Sequence, residues 1–164
     1  MDKPLPTMDD VLLAFFGKEY DDSTGVLRKR IVRVDELLRT YLETEPESFL
    51  GPYGRAILEA EREFEPSGAV CRVMRADTLL FALSRYAESP HLDSDLLLQR
   101  VQLQCIERLT VRLVRNELEH YDTACVQWDI AGALRRARWE LNRERREKAR
   151  ARRAAERDRT AADW

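Results

Sequence analysis

At 164 residues with a formal net charge of −2, the chain is long enough for a single domain and needs no disulfide staple. Its 44% apolar and 35% charged content, with only 6 Gly and 6 Pro, excludes collagenous, low-complexity and disordered classes. The longest apolar run, Val11 to Phe16, is too short to span a bilayer. The opening "MDKPLPTMDD" lacks the basic and apolar regions of a secretory leader, so the expectation is a soluble, cytoplasmic protein without membrane contact.

The first helix is expected from Met8 to about Tyr20, with Thr7 as its N-cap and Asp9 and Asp10 near its positive end. After the turn "YDDSTG", a second helix from about Val26 to Glu43 places Leu27, Ile31, Val34, Leu38 and Tyr41 on one apolar stripe. "TEPESFLGPYG" carries two prolines and two glycines and reads as a loop before a short third helix, about Tyr53 to Phe64. A corner at Phe64-Glu-Pro-Ser-Gly leads to a fourth helix from about Gly68 to Glu88, carrying Val70, Val73, Met74, Leu80, Phe81 and Leu83. Pro90 ends it, and Asp93 or Ser94 offers the next cap.

From Asp95 onward there is no proline, and the only glycine is Gly132. A fifth helix is expected to reach at least Glu119, with a break at "HYDTA". Beyond that break, Val126, Ile130, Ala133, Ala137 and Leu141 hold helical spacing, with Tyr121, Trp128 and Trp139 flanking them. The apolar pattern then stops, which makes Leu141 the expected edge of the core. The fold class that follows is all-α: a single bundle of five to six helices over residues 1–142, extended by a basic, Arg-rich C-terminal helix over 143–164 that frays beyond about Ala155.

Few residues point to chemistry. E-x-x-H occurs twice, at Glu88/His91 and Glu117/His120, the spacing by which helical metal bundles present ligand pairs. Pro90 interrupts the first pair, so only Glu117/His120 supports a carboxylate/histidine metal reading, and a polar helix end explains it more simply. Cys71, Cys105 and Cys125 lack any C-x-x-C pairing and fall among apolar neighbours, so they read as small core residues in a reducing compartment. Neither G-x-S-x-G nor a P-loop is present. The expectation is a protein that is not an enzyme and that needs no cofactor or metal.

Acidic residues cluster at Glu59, Glu61, Glu63 and Glu65, scattered around the third helix as a solvated face, with Arg62 relieving their repulsion. A helix-turn-helix through Glu65–Gly68 offering Arg72 and Arg75 to DNA would set those carboxylates beside phosphate, which disfavours it. Charge is divided along the chain. Residues 1–134 hold 16 Lys+Arg against 24 Asp+Glu, a net of −8, and residues 135–164 hold 12 against 6, a net of +6.

Two basic groups are therefore candidate contacts for an acidic partner or nucleic acid. The first is Arg28, Lys29, Arg30 and Arg33, early in the second helix where cations oppose the helix dipole. The second is Arg143, Arg145, Arg146, Lys148, Arg150, Arg152 and Arg153 in the tail, braced by Arg143/Glu147, Glu144/Lys148 and Arg152/Glu156 at i,i+4 spacing. No aromatic lies between Trp139 and Trp164 to stack on single-stranded bases.

The leading expectation is a non-enzymatic helical interaction protein, an adaptor, assembly factor or regulator, that also self-associates. Its basis is surplus apolar surface on the last two helices, including Leu96, Leu97, Leu98, Val101, Leu103, Ile106, Leu109, Val111, Leu113, Val114 and Leu118. The alternative is a nucleic-acid-associated accessory protein that grips phosphates through Arg28–Arg33 and the tail.

Overall fold

The computed structural model describes residues 6–116 and 123–162, with side chains to Arg159, and among them the chain is all-helical. The described residues form seven α-helices where five to six were expected: α1 (Met8–Asp21), α2 (Gly25–Thr44), α3 (Pro52–Phe64), α4 (Ala69–Val73), α5 (Ala76–Tyr86), α6 (Leu96–Arg115) and α7 (Ala124–Ala162). A single 3-10 turn, Pro46–Ser48, occupies part of the expected loop before α3.

The start of α1 follows its sequence closely. The Thr7 hydroxyl accepts from the Asp10 backbone N–H, and the Asp10 carboxylate accepts from the Thr7 N–H, a reciprocal capping box. Those bonds, the backbone one foremost, hold the Asp10 carboxyl below the usual carboxylate range. In α2 the stripe Ile31, Val34, Leu38 and Tyr41 is buried as expected, and Leu42 joins it, but Leu27 lies outside the core and is exposed.

The expected fourth helix is split. Met8 N–H donates to the Met74 carbonyl, and Ala76 N–H donates to that of Pro6. This short bridge between Thr7 and Arg75 takes backbone groups that a continuous helix would have used internally. α4 is held instead from outside, because the Glu43 carboxylate on α2 accepts from the N–H groups of Val70 and Cys71 at 2.9 and 3.4 Å. Gly68, just before α4, has φ +69°, a left-handed turn that glycine adopts without a Cβ clash.

α5 ends at Tyr86, so Pro90 lies beyond the helix, and Asp95 rather than Asp93 or Ser94 caps α6 by accepting from Leu97 N–H at 2.9 Å. Asp93 accepts from the Asp95 N–H and shapes the preceding turn. α6 runs to Arg115 with Asn116 as its C-cap, and the expected end at Glu119 lies outside the described residues. Tyr121 lies outside the described residues.

α6 packs against α2, α5 and α7, and α5 also packs against α1 and α7. That enclosure answers the expected surplus of apolar surface on α6. Leu98, Val101, Leu103, Ile106, Leu109 and Leu113 are all buried within one copy, Leu96 and Val114 are half-buried, and only Leu97 and Val111 remain exposed; Leu118 lies outside the described residues. α7 contributes Ile130, Ala133, Leu134, Ala137 and Leu141 to the same core, and Leu141 is the last buried side chain described. Cys71 and Cys105 are buried as expected, but Cys125 is exposed, because the start of α7 turns that residue away from α5 and α6. No described helix is long and apolar enough to cross a membrane.

Candidate functional site

No constellation of catalytic groups is assembled among the described residues. Glu88 and His91 part as Pro90 implied: Glu88 accepts from Arg136 at 2.7 Å, and the His91 Nδ1 faces Glu45 at 3.6 Å. Glu117 and His120 lie outside the described residues, and among those described no three His, Cys, Asp or Glu side chains converge on a metal position. Burial pushes the Cys71 and Cys105 thiols up to about 12, the opposite of nucleophile activation. A groove of about 400 Å³ between α6 and α7 is walled by Val111, Val114, Ile130 and Leu134, and Glu107 at its edge is held by Arg138. That guanidinium keeps the Glu107 carboxyl below the usual carboxylate range. What the surface does offer is two helix faces.

The first is the outer face of α3. This helix packs mainly on α4 and buries only Leu58 fully. Its inner side is tied down by polar contacts: Arg72 binds Glu61 at 3.0 and 3.1 Å, and Arg62 donates to the Glu43 carbonyl at 2.7 Å rather than relieving the neighbouring glutamates. At about 100° per residue, Tyr53, Ile57, Ala60 and Phe64 fall within an arc of roughly 60° on a different side of the helix. Tyr53 is 81% exposed and Phe64 85%. Beside them a groove of about 460 Å³ is lined by Phe49, Leu50, Tyr53, Ile57, Met74 and Phe81. Sequence reasoning missed this face, although the i, i+4, i+11 spacing of Tyr53, Ile57 and Phe64 announces it.

The second is the solvent side of α7. Trp128 and Trp139 are 71% and 63% exposed, and their separation of 11 residues, about three turns, puts them on one line. Arg135, Arg146, Arg150 and Arg153 fall on the same line by the same geometry, and Arg143 lies over the Trp139 ring at 5.0 Å. Every side chain from Asn142 to Arg159 is exposed.

The predicted basic residues are thus sorted by the structure. In the tail, Arg143, Arg146, Arg150 and Arg153 share an arc of about 80°, whereas Arg145, Lys148 and Arg152 continue the side on which Leu141 is buried. Between these flanks, Glu140, Glu144, Glu147 and Asp158 gather on the remaining arc of roughly 60°. The pairs Lys148/Glu144 and Arg143/Glu147 form at 2.9 and 3.9 Å, and α7 is helical to Ala162.

The α2 group does not assemble as a patch. The Arg28 Nε donates to the carbonyls of Tyr20 and Ser23 at 3.1 and 3.0 Å, with its guanidinium over the Tyr20 ring, so it caps the C-terminus of α1. Its place early in α2 is a response to the negative end of the preceding helix. Arg33 pairs with Glu36 at 3.0 Å, Lys29 is exposed, and Arg30 is half-buried. Arg72 is likewise spent, bonded also to the carbonyls of Ser67 and Glu65, so a helix-turn-helix reading loses its principal cation.

No known protein family, curated protein or solved structure matches the chain.

Proposed function

We propose that the protein is a non-enzymatic helical interaction protein, an adaptor, assembly factor or regulator, that pairs with a second copy of itself through the outer face of α3. The observation that carries this reading is the stripe Tyr53, Ile57 and Phe64, apolar and exposed, on a helix already anchored by its other side. A two-fold contact requires one patch that is complementary to itself. Here a protruding Phe64 and a groove at the Tyr53 end lie on the same helix, about 16 Å apart at 1.5 Å per residue. Antiparallel packing of two α3 helices brings each Phe64 to the other copy's groove.

Magnitudes set the character of the pairing. Aromatic side chains bury roughly 150–250 Å² each. At about 25 cal/mol per Å², four rings supply roughly 15–25 kcal/mol gross, against an association cost of roughly 4–15 kcal/mol. The result is a reversible, concentration-dependent dimer. Cysteines without a disulfide fit a reducing, cytoplasmic setting for it.

Light scattering across a concentration series is the test. The wild-type chain is expected to approach dimer mass at high concentration and monomer mass on dilution, whereas Phe64→Asp and Tyr53→Asp stay monomeric with unchanged helical circular dichroism. A wild-type chain that remains strictly monomeric at the highest concentration overturns the reading.

A further inference from the structure

We propose that the part of α7 beyond Leu141 is a groove-binding helix for double-stranded DNA, with its two basic flanks contacting the phosphates of the two strands. This surface is separate from the α3 face and independent of pairing through it. Charge is wrapped around the extension in sectors. Arg143, Arg146, Arg150 and Arg153 occupy one flank of about 80° and Arg145, Lys148 and Arg152 another of about 60°, so the two flanks span about 220° of the circumference with Asn142, Ala149 and Glu156 in the sector between them. The carboxylates Glu140, Glu144, Glu147 and Asp158 form a ridge on what is left, and Glu156 is the exception within the basic arc.

A flat partner, whether an acidic protein surface or a bilayer, engages one face of a helix and leaves cations on the far side without a role. A groove with a phosphate wall on either side engages both flanks, and the acidic ridge then points out to solvent. The major groove of B-form DNA is about 12 Å wide and admits an α-helix, whose diameter with side chains is about 10–12 Å.

Three further observations favour this occupant. The cations are arginines except for Lys148, and the guanidinium fork matches phosphate oxygens. Every side chain from Asn142 to Arg159 is exposed, and Arg145 at the base of the second flank borders Arg100, Leu103 and Gln104 of α6. The extension also lacks both the large apolar stripe that a membrane-surface helix inserts and the interleaved aromatics on which single-stranded bases stack. The ion pairs Lys148/Glu144 and Arg143/Glu147 are exposed, at 2.9 and 3.9 Å, and yield readily to phosphate.

The test uses the full chain and fluorescence anisotropy with a labelled 20-base-pair duplex of mixed sequence, titrated with KCl. Two triple variants separate the flanks: Arg146→Ala with Arg150→Ala and Arg153→Ala, and Arg145→Ala with Lys148→Ala and Arg152→Ala. Alanine preserves the helix, and circular dichroism verifies it. Each triple is expected to weaken binding and to lower the slope of log affinity against log salt by roughly 2–3, at about 0.9 for each phosphate no longer neutralised. Weakening confined to one triple overturns the groove geometry. Absence of duplex binding overturns the proposal outright, as does equal affinity for oligo(dT) or for phosphatidylserine vesicles. If duplex binding is absent and the triples instead abolish a salt-sensitive association between copies, the basic flanks belong to a second copy's acidic body and the DNA proposal falls.

Discussion

The cysteines show how a residue's chemistry depends on which side of a helix it occupies. Cys71 and Cys105 are enclosed, and burial raises both thiols to about 12, which suppresses the reactive thiolate at pH 8 at either position. Cys125 is exposed at the start of α7. In the native protein, iodoacetamide at pH 8 followed by peptide mass mapping is therefore expected to label Cys125 rapidly and Cys71 and Cys105 only slowly, and all three at similar rates in urea. Rapid native labelling of Cys71 or Cys105 would contradict the packing. The sequence alone placed the two buried thiols correctly, because each falls in a helix whose apolar spacing is dense. It misplaced Cys125, whose neighbours Ala124 and Val126 are apolar in sequence although its own side chain lies on the exposed side of α7. Arg28 illustrates the same limit: its helix-capping bonds to Tyr20 and Ser23 depend on where α1 ends in space, which no spacing along α2 encodes.

At the scale of elements, local signals served well where the chain itself supplied the partner and failed where another element supplied it. The Thr7/Asp10 box and the Ile31–Tyr41 stripe are internal to one helix, and both were legible. The division of the fourth helix was not, because Met74 and Arg75 carry no proline or glycine and the competing backbone bonds come from Pro6 and Met8. The α3–α4 junction depends in the same way on one side chain. Arg72 on α4 makes two bonds to Glu61 and one each to the carbonyls of Ser67 and Glu65, with about a third of its side chain exposed. Charged hydrogen bonds contribute roughly 1.5–3 kcal/mol when well shielded, and partial exposure discounts the sum. Urea denaturation of Arg72→Ala is expected to show a loss of about 1–2 kcal/mol, against a smaller loss for Arg75→Ala, which removes one pair between a half-exposed guanidinium and the largely buried Asp77 carboxylate. Equal effects would mean that Arg72 is a surface cation and that its four bonds are not persistent.

At the scale of the whole molecule, the position of Leu141 separates two uses of one helix. Up to that residue α7 is structural. Ile130, Ala133, Leu134, Ala137 and Leu141 are buried, and Arg136 and Arg138 brace it to Glu88 and Glu107 at 2.7 and 2.6 Å. The apolar period made this boundary readable in the sequence. The sorting of the later arginines into two flanks was not, since it emerges only when residues are placed around the circumference rather than along the chain. Beyond Leu141 no described side chain is buried, so the extension adds exposed ion pairs of a few tenths of a kcal/mol and little else to folding. Truncation after Asn142 is thus expected to change stability in urea by less than about 1 kcal/mol, while Leu141→Ala in the full chain is expected to cost about 2–4 kcal/mol, as truncation of a buried leucine does. If removing residues 143–164 destabilises the protein as much as Leu141→Ala, the basic segment is part of the folded body and neither of its flanks is free to meet a partner.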